Sequence, residues 1–192
     1  WGLKQQFFWQ ASDKNVVKFG FNSIYHTVTP GEITSEGASS YNPINYQERF
    51  SLENAIFVSN DWKASEKLNI SSGLRLTGFS ILGGGDFLTV DPEGAIINST
   101  SYKKGEFVKT YINLEPRLSL SYLLNQQSSL KASYVRNAQN MHMISNSTSS
   151  RPSDKWLPSS LMVKPEISDQ FAVGYYRNLF DNAFELNVES YY

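Results

Sequence analysis

The stretch Asn113 to Tyr134, NLEPRLSLSYLLNQQSSLKASY, alternates in character residue by residue. Leu114, Leu118, Leu120, Tyr122 and Leu124 occupy even positions, and Glu115, Arg117, Ser119 and Ser121 fall between them. Period-2 alternation means a strand with two unlike faces, here over a run long enough for a strand to cross a membrane. After Asn125-Gln126-Gln127 the pattern resumes, with Leu130, Ala132 and Tyr134 set against Lys131, Ser133 and Val135. The two runs predict a β-hairpin whose polar side is too charged for a dry core.

The same reading predicts strands at roughly 3–11, 15–25, 51–62, 68–79, 111–124, 128–138, 169–180 and 183–192, with no amphipathic helix of useful length. The connections after the first, third, fifth and seventh strands are short: Ser12 to Lys14, Lys63 to Lys67, Asn125 to Gln127, and Asp181-Asn182. Those after the second, fourth and sixth are long and polar. Short turns at one end and long loops at the other are the asymmetry of outer-membrane barrels. Opposed residues of an antiparallel pair share a face, so apolar sets must match across each turn. Pairing Phe7 with Phe19, Trp9 with Val17, Ile56 with Leu74, Leu120 with Ala132, Tyr122 with Leu130, Tyr175 with Val188 and Leu179 with Phe184 satisfies this in all four hairpins. Asn54, Asn60 and Arg177 are the polar exceptions on the apolar face. Glu53, Arg75, Glu115, Arg117, Lys131, Glu185 and Glu189 fall on the other face, as expected for a water-filled or plugged lumen. Trp9, Trp62 and Phe180 by the short turns, and Tyr25, Tyr111 and Tyr134 near the other end, suit interfacial aromatic girdles. In the second long loop, Asp91-Pro92-Glu93-Gly94 reads as a tight turn between Phe87–Val90 and Ala95–Asn98, a small hairpin above the barrel.

Two motifs look familiar. Glu115-Pro116-Arg117-Leu118-Ser119-Leu120-Ser121-Tyr122 resembles a strand common in the barrels of TonB-dependent outer-membrane receptors. Val163-Lys164-Pro165-Glu166-Ile167-Ser168-Asp169-Gln170-Phe171-Ala172-Val173-Gly174-Tyr175 resembles the same family's entry into a late barrel strand. The resemblance covers roughly residues 5 to 192 and is nearest to the nutrient-receptor branch with long surface loops. It implies an all-β fold, an antiparallel up-and-down meander of about eight strands forming part of a larger transmembrane barrel in the outer membrane of a Gram-negative bacterium. It further implies active uptake of a small-molecule, oligosaccharide or peptide ligand. The long loops would capture the ligand, an N-terminal plug domain would gate the lumen and TonB would drive release. Outer-membrane lipid surrounds such a barrel, and a surface lipoprotein is a further partner of this branch. Residues 1–192 are therefore read as a partial receptor barrel without plug domain or signal peptide, since both ends of the chain stop inside strand patterns. A barrel of roughly 22 strands is not closed by these alone.

Composition narrows the alternatives. With 17 basic and 18 acidic residues, net charge gives no argument for nucleic acid, and no nucleic-acid partner is expected. No apolar run approaches the about 18 residues of a transmembrane helix, which does not exclude a barrel. Cysteine is absent, so neither a disulfide framework nor thiolate chemistry is available. Two histidines, His26 and His142, and no nucleophile or phosphate-binding motif argue against an enzyme. Met141-His142-Met143 offers soft metal ligands, but in a strand His142 faces away from the two methionines, so neither metal nor cofactor is expected. Asn69, Asn98 and Asn146 begin Asn-x-Ser/Thr triplets of the kind polar strands and loops generate by chance. Ligand contacts are expected among loop residues such as Tyr41, Tyr46, Trp156 and Asn146, the last opening the Asn146–Ser150 run. Two other readings share the pattern: a complete eight-stranded barrel acting as an adhesin or structural protein, and a soluble β-sheet binding domain.

Overall fold

The computed structural model describes residues 1–29, 32–33, 44–45, 47–144 and 155–192. Fourteen strands follow in order: β1 (Gly2–Ser12), β2 (Asn15–Val28), β3 (Glu32–Ile33), β4 (Ile44–Asn45), β5 (Arg49–Lys63), β6 (Leu68–Leu82), β7 (Gly85–Val90), β8 (Ile96–Tyr102), β9 (Phe107–Asn125), β10 (Ser128–Gln139), β11 (Met141–Ile144), β12 (Lys155–Pro158), β13 (Glu166–Leu179) and β14 (Phe184–Tyr191). Eight of them form one antiparallel sheet in the order β1-β2-β5-β6-β9-β10-β13-β14, so every neighbour in space is the next long strand in sequence. The sheet does not close, because β1 pairs only with β2 and β14 only with β13 among the described residues. The remaining strands make three small hairpins, β3–β4, β7–β8 and β11–β12, one in each long connection.

Alternation decides the faces. Tyr134 stands opposite Leu118 and Phe171, Ala132 opposite Leu120 and Val173, and Leu130 opposite Tyr122 and Tyr175. The ladder carries this set through Ile70, Leu74 and Leu76 of β6 to Ile56, Val58 and Trp62 of β5, then to Phe19 and Phe21 of β2 and Phe7 and Trp9 of β1. Most of these side chains are exposed although they are large and apolar. A water-soluble protein does not display a contiguous apolar band of this size; hydrocarbon is the solvent that suits it. The opposite face carries Lys4, Lys18, Glu53, Asp61, Arg75, Glu115, Arg117, Lys131, Glu185 and Glu189. Within the large sheet only Arg136, Asp169 and Arg177 put charge on the apolar side, and they sit near its two ends. Arg136 and Asp169 are direct ladder partners one step beyond Tyr134 and Phe171, outside the band on the long-loop side. Arg136 donates from Nε to Oδ1 at 2.7 Å and from Nη2 to Oδ2 at 2.9 Å, and the Tyr134 hydroxyl donates to Oδ1 at 2.7 Å.

Six of the seven expected pairings match the ladder. The exception is the second hairpin, where Ile56 pairs with Leu76 and Val58 with Leu74, two residues from the expected match of Ile56 with Leu74. Strand β5 runs on to Lys63, and Ser65 tightens the turn, its Oγ accepting from Lys67 N at 3.2 Å and Leu68 N at 3.1 Å. A shift of two preserves the face of every side chain, so the parity argument survives its own register error. The last hairpin is closed by Phe180, Asp181 and Asn182, all at positive φ (50°, 51° and 69°), which suits the twist of the strands it joins. Tyr111 is a second correction. It lies four residues from Glu115, on the same inner face, and donates its hydroxyl to the Ser160 carbonyl at 2.7 Å, so it is no part of an outer girdle. Trp9, Trp62 and Phe180 do sit by the short turns, and Tyr25 stacks on Trp1 with ring centroids 5.8 Å apart.

The two faces should answer oppositely to charge. Leu120→Arg, tested in the intact protein in lipid bilayers, is expected to cost about 2–4 kcal/mol of folding stability, and Ser119→Arg much less. Denaturant unfolding of both variants in the same lipid is the measurement, and equal losses would contradict the assignment of faces.

Candidate functional site: the inner wall and its infolded loops

On the inner face the side chains of β5, β6 and β9 converge. Arg75 stands directly opposite Glu115 and Phe57 in the ladder. Its guanidinium lies 3.5 Å from Glu53 and 3.8 Å from Glu115, while Nε donates to Thr77 Oγ1 at 3.1 Å. The Thr77 hydroxyl donates in turn to Glu115 at 2.6 Å. Glu115 is only 6% exposed, so its carboxylate depends on these partners. Nearer the short turns, Lys18 and Ser71 share Asp61 at 2.6 and 2.7 Å.

Toward the long loops this wall is covered from the inside. The β7–β8 hairpin turns Phe87 down onto Phe79 and Ile81 of β6, with Tyr102, Val108 and Tyr111 packed around them. Arg49 lies over the Phe87 ring at 4.9 Å and donates to the Asp86 carbonyl at 3.4 Å. The third long connection crosses further. Strand β12 rests against β2 and β5, and Asn140, just beyond β10, donates from Nδ2 to Glu53 Oε2 at 3.3 Å. Ser159 N bonds to the Asn140 carbonyl at 2.8 Å, and Tyr111 holds Ser160. A loop joined to β10 thus reaches the wall three strands away, which requires the sheet to curl with its polar face concave. The seat is imperfectly paired: His26 Nε2, Ser51 Oγ and Asn140 Oδ1 are enclosed without a hydrogen-bond partner among the described residues.

Of the four ligand contacts expected from sequence, only Trp156 is described. It lies on β12 opposite Met143 and is 55% exposed. Tyr41, Tyr46 and Asn146 lie outside the described residues. The array of Glu53, Arg75, Thr77, Glu115 and Asn140 was visible in sequence only as charges sharing a face; nothing local joins Asn140 to Glu53, 87 positions apart. Met141-His142-Met143 is indeed a strand, and His142 turns from the methionines. Its Nε2 meets Ser159 Oγ at 2.9 Å, and its Nδ1 lies 3.7 Å from Glu166. A serine, a histidine and a carboxylate in that order invite a hydrolytic reading, but Ser159 is 1% exposed and no substrate carbonyl reaches its hydroxyl. The contact ties the base of the β11–β12 hairpin. No group of three or more metal-ligating side chains occurs among the described residues.

An open antiparallel meander with an apolar exterior, a charged concave interior, short turns at one end and infolded loops at the other is the wall of an outer-membrane-type transmembrane barrel. The family comparison is more specific. The model of the TonB dependent receptor-like β-barrel matches residues 1–192, the whole chain, and the chain belongs to that family. No curated protein matches it. The family is one of outer-membrane transport receptors of Gram-negative bacteria, with a plug domain and TonB as partners.

Arg75 is the shared cation of the wall. Arg75→Met leaves Glu53 and Glu115 without it in a half-enclosed site and is expected to cost about 3 kcal/mol. Adding Glu115→Gln should recover part of that loss, because the two residues are coupled. Urea unfolding of the lipid-reconstituted receptor would show this, and additive losses would mean that the pair does not interact.

Proposed function

We propose that this chain is a section of the barrel of an outer-membrane receptor that takes up a nutrient with energy supplied through TonB. It contributes eight wall strands and three ligand-facing connections. The observation that carries this reading is the infolding of the second and third connections. Loops that merely join strands need two to five residues. These reach back over the concave face and pin themselves to it through Phe87, Asn140 and Tyr111. Long ordered loops held by a rigid scaffold are where binding groups concentrate. Siderophore, oligosaccharide, peptide and vitamin all remain within this class of ligand. Trp156, exposed beside Met143 on the β11–β12 hairpin, is our choice for a ligand contact, offering a rigid aromatic face. Tyr41, Tyr46 and Asn146 belong to the same proposal through their place in the long connections.

The test is uptake of a labelled panel from those four ligand classes by the full-length receptor, in hosts with and without TonB. Uptake of one class that disappears without TonB is the expected result; TonB-independent passage of all of them would refute the reading. Deleting Thr89–Ile97 spares Phe87 and should leave a folded barrel with impaired uptake. Trp156→Ala should weaken binding of the transported compound by about tenfold or more, as loss of an aromatic anchor does. Unchanged binding would remove Trp156 from the site.

A further inference from the structure

Asn54 of β5 is a polar side chain on the face that meets lipid. It is exposed in the half of the band nearer the long loops, with Val58 and Ile56 on its short-turn side and Leu52 and Phe50 beyond it. Its carboxamide has no hydrogen-bond partner among the described residues. An amide left bare in hydrocarbon is costly, and a polar group kept at such a place marks a function. Gly78 of β6 stands directly opposite, with Ile112 on its far side. Other glycines of the sheet have internal reasons. A Cβ at Gly20 would run into the Gln5 carbonyl, and one at Gly174 would lie 2.8 Å from the Tyr176 ring. A Cβ at Gly78 would point outward and meet only the Asn54 carbonyl, at 3.9 Å. Glycine weakens a strand and marks a place where something else approaches closely. Around the pair lies an open hollow of about 470 Å³, rimmed by Phe21, Ile56, Leu76 and Ile112. The Ser80 and Thr110 hydroxyls, 2.9 Å apart, close its long-loop end. Beyond them Lys104, in the turn that leads into β9, lies over the Phe50 ring at 4.8 Å. It has no carboxylate within ion-pair reach among the described residues.

We propose that this hollow binds one outer-leaflet lipid whose headgroup carries phosphate and whose acyl chains carry amide or hydroxyl groups close to that headgroup. The order of chemistry up the wall matches such a molecule. Ile56 and Leu76 are apolar, Asn54, Ser80 and Thr110 offer amide and hydroxyl partners, and Lys104 supplies the cation. The long loops are the extracellular end of a barrel of this type, which puts the hollow in the outer leaflet. Its width argues for a chain of lipid. A helix measures about 10–12 Å across with its side chains, and the flanking strands β5 and β9 are two ladder steps apart, about 10 Å at the backbone. A second barrel is convex and would touch the rim while leaving Asn54 bare. The site needs only the barrel wall and is independent of which nutrient is taken up.

The test is binding of lipid A by the full-length receptor, stripped of lipid in detergent and followed by native mass spectrometry, with phosphatidylglycerol as the comparison. Wild type should hold one lipid A in preference to phosphatidylglycerol. Gly78→Leu, which fills the hollow, and Asn54→Leu, which removes the amide, should each weaken that binding about tenfold, the worth of one hydrogen bond made away from water. Ala132→Leu, an outward position outside the hollow, should bind as wild type does. Removing the phosphates of lipid A should weaken binding to wild type and not to Lys104→Gln; equal losses in both would take Lys104 out of the site. Unchanged binding by both hollow variants, shown to be folded by heat-dependent gel mobility, would overturn the proposal. So would an equal loss in Ala132→Leu, which would reflect lipid held anywhere on the wall. A wild type recovered as a dimer that Gly78→Leu dissociates would put a second copy in the hollow and overturn it as well. Photolabelling of the unmodified receptor is free of folding effects. Lipid A with a diazirine in an acyl chain should label β5, β6 and β9, and even labelling of all eight wall strands would overturn the site.

Discussion

Hydrocarbon offers no hydrogen bonds, and everything in this structure follows from that. Each backbone amide that crosses the apolar band must find a partner in the next strand. The answer is an unbroken ladder, sustained from β1 to β14 with irregularities only toward strand ends, such as Gln10/Ser12, Ile81/Leu82 and Ser128/Ser129. Once the backbone is satisfied, side chains sort by parity. Most large apolar side chains of the band face outward, and most charge faces inward. Asn60 and Ser72, directly opposed on the outer face, are a local departure from that sorting on the short-turn side.

Inside, the physics reverses. The concave wall meets water and protein, so carboxylates and guanidinium groups persist there if they are shared. Arg75 serves two glutamates, Thr77 relays one of them, and Asn140 brings the far loop to the other. The same glutamate, Glu53, thus joins the barrel wall to the loop that covers it. A change in the charge balance of the wall is therefore also a change in how firmly that loop is seated.

Much of the architecture was legible in the sequence because barrel strands repeat with period 2 and turn length fixes pairing parity. That is why Leu120 against Ala132 and Leu179 against Phe184 could be paired without a structure. Parity is blind to shifts of two, so the tight turn at Ser65 moved the second hairpin unnoticed. Tyr111 was misplaced by its position near a strand end, although its parity with Glu115 already placed it inside. The β11–β12 hairpin gave no signal: four residues on each side are too few for a period. The site was less legible than the fold, since Asn140 on Glu53, Phe87 on Phe79 and Ser160 under Tyr111 are contacts of the connections with the wall that the strand pattern does not encode.

Phe87 divides the second connection into two parts with different histories ahead of them. Below it, Phe79, Ile81 and Tyr111 form a small enclosed core in which a change of volume is felt at once. Above it, Leu88, Ile96 and Ile97 stand in the open, touching little. The upper part can change sequence at little cost in packing, while the aromatic stem keeps the strands below in place. A receptor built this way can change what it presents to the outside without having to relearn how to fold.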